Sequence, residues 1–359
     1  MPSLFTEFRL KDVRLKNRIG VSPMCQYSAP GGFAGDWHLV HLGARAIGGA
    51  ALVIAEATAV APEGRITPRC TGIWSDAHAE RFVPVTSFIK TNGCVPGIQL
   101  AHAGRKASAY ATWEGQGNLP QNDPQSWQPI GPSELVFGGN LNRVPQAMTK
   151  DDIRRVQKDF AGAAKRALTA GFEWVELHFA HGYLAQSFFS PIANKRTDEY
   201  GGHFDGRARF ILETFSAVRS VWPERFPLTV RLGMTDFHPE SQPLEESIEL
   251  VRQLKSRGLD LVDISLGGNS PDVSGVPYGP AFMVPIAERA KREADIPAAV
   301  GWQITEPAQA DKIIRDGRVD LILLARAMLN DPHWPFHAAK ALGIPDYKNV
   351  LPPQYHRVE

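Results

Sequence analysis

Two imidazoles and a phenol fall within six positions: His178, His181 and Tyr183, in the stretch EWVELHFAHGYL at 173–184. Two N–H donors can share one oxygen as negative charge develops on it. A tyrosine just beyond them can then deliver a proton. Such a set suits a reaction in which an electron-withdrawing group takes up charge and a carbon is then protonated. Two other readings stay open from the residues alone. The pair could bind a metal, although no H-x-H or H-E-x-x-H pattern accompanies it, and no metal is expected. The rings could also be ordinary hydrogen-bonded histidines. Positions three apart on a continuing strand face opposite sides, so convergence needs the chain to leave the strand near Phe179 and Ala180. Gly182 makes that bend easy.

Other polar residues stand where apolar runs end. Arg231 lies in PLTVRLGM, where an unpaired guanidinium would be costly. It must either pair with an acid such as Glu56 or Glu176 or face a ligand. Gln99 raises the same problem for an amide. A planar, electron-rich ligand such as a flavin ring would satisfy both. Further along, Gly301 permits close backbone approach, and Arg326 offers a fork of donors suited to phosphate oxygens. Arg326 could equally be a surface ion-pair residue.

These residues need a frame. After a small hairpin at 9–17, strands are expected at 18–24, 51–60, 95–102, 173–178, 227–234, 259–268, 296–302 and 319–325. Helices follow near 37–48, 77–91, 149–171, 205–221, 244–258, 283–293 and 306–317, with a helical C-terminal region. Thr149 reads as an N-cap and Gly171 as a helix stop. Strands this apolar on both faces imply a parallel sheet covered by helices. Eight strand–helix units imply a closed (β/α)8 TIM barrel, a single domain over 1–359, with a long Pro/Gly/Asn-rich insertion near 103–147 after strand three. A doubly wound open sheet is the fallback, but no G-x-G-x-x-G follows the first strand. In such a barrel the site lies at the C-terminal strand ends, where the residues above fall. The loop at 267–280 is expected to be mobile and to lie over the site.

Composition narrows the class. The chain has 359 residues, 43% apolar and 21% charged, with formal net charge +1. That balance gives no pull toward nucleic acid or an anionic membrane. No apolar run is long enough to span a bilayer, and the N-terminus does not read as a signal peptide. Cys25, Cys70 and Cys94 are an odd, sparse set, which suggests free thiols in a reducing, cytoplasmic setting.

The segments SPMCQY (22–27), DWHLVH (36–41), EATAVAPEGRI (56–66), IQLAHAGRKA (98–107), HFAHGYLAQSFFSP (178–191) and NKRTDEYGG (194–202), with Arg231, resemble the old yellow enzyme family of flavin-dependent ene-reductases. The match is similar to the bacterial branch containing xenobiotic reductase A. The resemblance implies FMN bound non-covalently, and NADPH or NADH as reductant in a ping-pong sequence. It implies reduction of activated C=C bonds in enones, enals and nitro compounds, with hydride passing from flavin N5 to the β-carbon. His178 and His181 would hold the substrate oxygen, and Tyr183 would protonate the α-carbon. Ser22, Pro23, Met24, Ala57, Gln99 and Arg231 would surround the flavin ring, while Gly301, Trp302, Ala325 and Arg326 would meet its phosphate end or flank.

Cys25 would tune the flavin, or would be a small buried filler. Tyr27 could hydrogen-bond substrate, or be a satisfied barrel tyrosine. Trp302 would narrow the pocket, or simply pack. Relatives usually carry glycine where this chain has Ala325. The resemblance implies a homodimer or homotetramer, in which Arg357 would reach the neighbouring subunit's site; a solvated terminus is the other reading. Rival functions are a flavin barrel acting on RNA, as in the dihydrouridine synthases, a metal-dependent barrel hydrolase, and a non-catalytic scaffold. The near-neutral charge argues against the first, and polar groups converging at one barrel mouth argue against the last.

Overall fold

The computed structural model describes residues 3–355, 357 and 358. Eight parallel strands close into a barrel in chain order: β1 (Ile19–Val21), β2 (Leu52–Ala59), β3 (Val95–Ala101), β4 (Trp174–Phe179), β5 (Leu228–Thr235), β6 (Leu261–Leu266), β7 (Ala298–Val300) and β8 (Leu321–Leu324). Every residue of β2 and β3 is buried, as a sheet covered on both faces requires.

Helices α1 (Asp36–Ile47), α2 (Asp76–Thr91) and α3 (Lys150–Thr169) follow the first three strands. Then come α4 (Leu184–Phe189), α5 (Phe204–Arg219), α6 (Leu244–Ser256), α7 (Val284–Ala294), α8 (Pro307–Arg315), α9 (Arg326–Asn330) and α10 (Trp334–Ala341). At the start of α3, Thr149 Oγ1 accepts the Asp152 N–H at 3.1 Å. Asp152 Oδ2 accepts the Thr149 N–H at 2.9 Å in return, so two otherwise orphaned donors are satisfied.

The expected hairpin forms, Phe8–Leu10 against Val13–Leu15. Its Leu10, Val13 and Leu15 pack with Leu52, Trp174 and Leu321 in one apolar cluster at the N-terminal end of the strands. Burial of three such side chains contributes about 1.5–3 kcal/mol each. The hairpin thus plugs one end and leaves the C-terminal mouth as the open one.

Several strands are shorter than the apolar runs suggested. Pro23 has no N–H to extend β1. Trp302 and Gln303 take left-handed φ of 61° and 54°, which ends β7. The insertion has little regular structure beyond Ile130–Gly131 paired with Gln146–Ala147. Arg143 substitutes for a ladder there. Its guanidinium donates to Ser126 Oγ and the Trp127 carbonyl, both at 2.7 Å. The NKRTDEYGG motif is also a clamp: Arg196 donates to the carbonyls of Pro132 and Met148 and pairs with Asp198.

Among the described residues no helix is long and apolar enough to cross a membrane.

Candidate active site

His178 is the fifth residue of β4, and its Nδ1 is buried with no hydrogen-bond partner. The chain then leaves the strand as expected. His181 has φ 61° and Gly182 φ 66°, two left-handed residues in succession. The turn brings the rings together, with centroids 4.9 Å apart at 89°. Tyr183 joins them at 5.0 Å from His178.

The turn is held from outside. The His181 N–H donates to the Leu266 carbonyl at 3.1 Å. Lys106 Nζ donates to the His181 carbonyl at 2.9 Å and stands 5.3 Å over the Tyr183 ring. A Cβ at Gly182 would overlap the Gly268 carbonyl oxygen. We therefore expect Gly182→Ala to destabilise the fold by roughly 2–5 kcal/mol, from a left-handed alanine plus overpacking. Gly202, at φ 72° with nothing within 4 Å of a Cβ, is the control. Gly202→Ala should cost only the conformational share, about 1–2 kcal/mol. Chemical denaturation of both variants measures the difference.

Beside the turn lies a cavity of about 580 Å³, within the range of small-molecule sites. Ser22, Pro23, His181 and Arg231 line one part of it. Gly301, Trp302, Ala325 and Arg326 line another part. Met24, Cys25, Tyr27, Ala57, Gln99, His178 and Tyr183 do not line this cavity. Arg357 is exposed on the C-terminal tail and is not brought to this chain's own cavity. The remaining expected feature, the 267–280 loop, does border the site. Its end places Pro280 in the cavity wall. Its start is anchored, because Arg105 donates to the Asn269 carbonyl at 2.5 Å and the Asn269 N–H donates to Asp236 at 2.6 Å.

Some partners differ from those the residues alone suggested. Arg231 pairs with neither Glu56 nor Glu176. Its Nε lies 3.0 Å from Asp263 Oδ2 on the neighbouring strand β6, and its Nη1 donates to Ser22 Oγ at 3.1 Å. Glu56 instead accepts the Gln26 N–H at 2.9 Å and meets His38 Nε2 at 3.2 Å. Gln99 turns its amide to Glu176 Oε1 at 2.8 Å, so this donor is satisfied by protein. The close approach at Gly301 is that of β8: a Cβ would overlap the Leu323 carbonyl.

Two anchors went unread because they lie far apart in the chain. Trp113 of the insertion packs on Tyr27, with centroids 5.7 Å apart. Ser265 meets both His181 and Trp302. Neither residue type carries a signal of its own.

Burial, then the Arg231 charge, pushes both imidazoles well below their ordinary range. Both are neutral at pH 7, so each carries one N–H. Burial pushes the Tyr183 phenol well above its ordinary value, so it keeps its proton. Burial likewise raises the Cys25 thiol, with contacts to Tyr27 and the Ala57 backbone pulling it back. The site thus holds neutral donors, a protonated phenol and a cationic wall. It can grip an oxygen that gains charge and hand over a proton.

The comparisons fit this geometry. A family model described as NADH:flavin oxidoreductase / NADH oxidase matches residues 3–344. The chain belongs to that family. It is an old-yellow-enzyme-type, NAD(P)H-dependent flavin oxidoreductase that binds FMN. An NADPH dehydrogenase of Geobacillus sp. (strain WCH70) is 42% identical over 99% of this chain and 98% of its own length. Among solved structures, morphinone reductase superposes with TM-score 0.80 at 27% identity, covering 98% of this chain and 93% of its own. The old yellow enzyme homologue from Zymomonas mobilis gives TM-score 0.77 at 24% identity over 98% of each chain, a likeness of fold alone.

The residues present suit FMN. The cavity has volume enough for a planar heterocycle, and Arg231 and Arg326 both line it. Arg231 would face the electron-rich ring edge, and Arg326 would hold the phosphate.

Proposed function

We propose that this flavin oxidoreductase reduces activated C=C bonds of small molecules: enones, enals and nitroalkenes. The observation that carries the reading is the buried, unpartnered Nδ1 of His178 beside His181, next to a protonated tyrosine. A buried polar atom without a partner points to a ligand that satisfies it. FMN, when bound, supplies hydride transfer between nicotinamide and the β-carbon of the substrate.

The chain's own residues do the rest. His178 and His181 are neutral donors for the oxygen of the withdrawing group, where negative charge gathers as the β-carbon accepts hydride. Because they are neutral in the resting state, they stabilise that charge by hydrogen bonding rather than by an ion pair formed beforehand. Tyr183 gives its proton to the α-carbon, which neutralises the enolate or nitronate. Trp302, which lines the cavity, together with Tyr27 and Cys25, is assigned to the substrate's remaining bulk. We read both reactants as using one place beside the paired histidines, so that the nicotinamide leaves before the substrate enters.

Purified protein is expected to be yellow, to bleach anaerobically with NADPH, and to recover its absorbance when a cyclic enone is added. Bleached protein that no enone, enal or nitroalkene reoxidises would exclude the reading. In Tyr183→Phe, bleaching by NADPH should be unchanged within about threefold. Reoxidation by an enone needing a positioned proton should slow about 10²-fold, the low end for a general acid. Stopped-flow absorbance separates the two half-reactions, and equal rates across several enones would remove Tyr183 as the acid.

A further inference from the structure

Ser265 is the fifth residue of β6, and its side chain is fully buried. Its Oγ accepts the Trp302 indole N–H at 3.0 Å and lies 2.7 Å from His181 Nε2. Both neighbours arrive on strained backbone, since His181 and Trp302 each have φ 61°. Two left-handed residues, 121 positions apart by number (302 − 181), turn their rings onto one hydroxyl. His181 is tied to the same place through its backbone, whose N–H donates to the carbonyl of the next residue, Leu266.

The chemistry of that hydroxyl decides where the His181 proton sits. A serine hydroxyl has one hydrogen to donate and two lone pairs to accept with, whereas the indole N–H can only donate. One lone pair therefore goes to Trp302. Among the described residues, the acceptor within reach of the hydroxyl hydrogen is His181 Nε2. A hydrogen on Nε2 instead would aim two donors at Oγ and leave a buried O–H with no acceptor, a state that folded proteins avoid. We propose that Ser265 is a positioning residue that fixes His181 as its Nδ1–H tautomer, leaving that N–H to donate to the ligand oxygen.

The consequence for binding is one of sign. The cavity meets a His181 ring whose Nε2 is already used. In the Nδ1–H form, the free nitrogen donates to an incoming oxygen. In the other tautomer, a nitrogen lone pair would face the oxygen's lone pairs, and attraction becomes repulsion. Trp302 takes part indirectly, because its indole N–H can only donate to Oγ and so leaves the hydroxyl hydrogen to His181 Nε2. This inference rests on the proposal that His181 grips the substrate oxygen, and the test separates the two.

The test uses FMN-loaded protein labelled with ¹⁵N-histidine, the His181 signals being those missing from His181→Ala. Long-range ¹H–¹⁵N correlation should show a protonated Nδ1 and an unprotonated Nε2 for His181. Ser265→Ala should convert this to the Nε2–H form or a mixture, and weaken p-nitrophenol binding about tenfold, read from the flavin absorbance change. Ser265→Thr, which keeps the hydroxyl, should restore both. An Nε2–H tautomer in the unmutated protein overturns the proposal without any variant having to fold. So does an Nδ1–H signal that Ser265→Ala leaves unchanged. A tautomer that shifts while phenol affinity holds within twofold would uphold the role of Ser265 and refute the oxygen grip.

Discussion

His178→Ala should lower kcat/KM for a cyclic enone by about 10²–10³-fold, the loss of one preorganised donor to a developing oxyanion. The expectation rests on Nδ1, which is buried and makes no hydrogen bond within the protein. Its partner is therefore expected to be the substrate. Alanine removes the donor and leaves the fold intact, since no hydrogen bond is broken by the change. FMN should stay bound, because His178 does not line the cavity assigned to it. Phenol affinity, read by titration of the flavin spectrum, should fall in parallel.

The pH profile carries a second signature. Both imidazoles are pushed well below their ordinary range, so the oxygen grip should show no histidine limb between pH 6 and 8. The sign for stability follows from linkage. A histidine whose folded value is depressed contributes stability above its unfolded value, near 6.5, and loses it as pH falls. Acid should therefore weaken the fold before it alters the chemistry. Full enone turnover and unchanged phenol affinity in His178→Ala would end the oxygen-binding role.

Arg231→Met should cost about 3–5 kcal/mol at pH 8.5 and much less at pH 5, besides lowering FMN occupancy. Arg231 pairs with buried Asp263, and its charge also reaches buried Glu176. Asp263 is pushed up to about 6 by burial, against the pull of Arg231. Glu176 is pushed up to about 8 by burial and then by Asp263, with Arg231 and Gln99 pulling it back. Both folded values lie above the unfolded ones. Stability from such groups is present in full at low pH and is lost as pH rises through about 6 and about 8.

Without the guanidinium, both carboxyls shift further up and remain protonated over a wider range. In acid they are neutral and tolerate the methionine. At pH 8.5 they must either ionise without a neighbouring cation or hold protons that the unfolded chain has released, and either costs stability. Denaturant titrations of flavin-free wild type and variant at the two pH values give the difference directly. A deficit independent of pH would mean that Arg231 contributes packing and not charge balance.

Legibility in the sequence followed a physical divide. Burial on both faces writes itself as an apolar run, so all eight strands could be read from the chain. The capping pair at Thr149 is a local device, set by neighbours within a few positions, and Gly182 marks a bend that the strand end beside it requires. His178, His181 and Tyr183 stood out because their spacing only makes sense if a strand ends between them. Arg231 stood out because a guanidinium in an apolar run needs a partner.

The partner was another matter. Asp263, not Glu56 or Glu176, meets Arg231, because β5 and β6 are neighbours in a register that sets Asp263 beside Arg231. Gln99 turned out to be satisfied by Glu176, and the freedom of Gly301 serves β8. Trp113 and Ser265 have no spacing that ties them to the residues they meet. What one strand must bury is decided by its own residues, so the chain alone determined the barrel, the mouth and the pair of rings. Which side chain meets which depends on strand order and register, since a hydroxyl 84 positions from His181 becomes its neighbour only when the barrel closes.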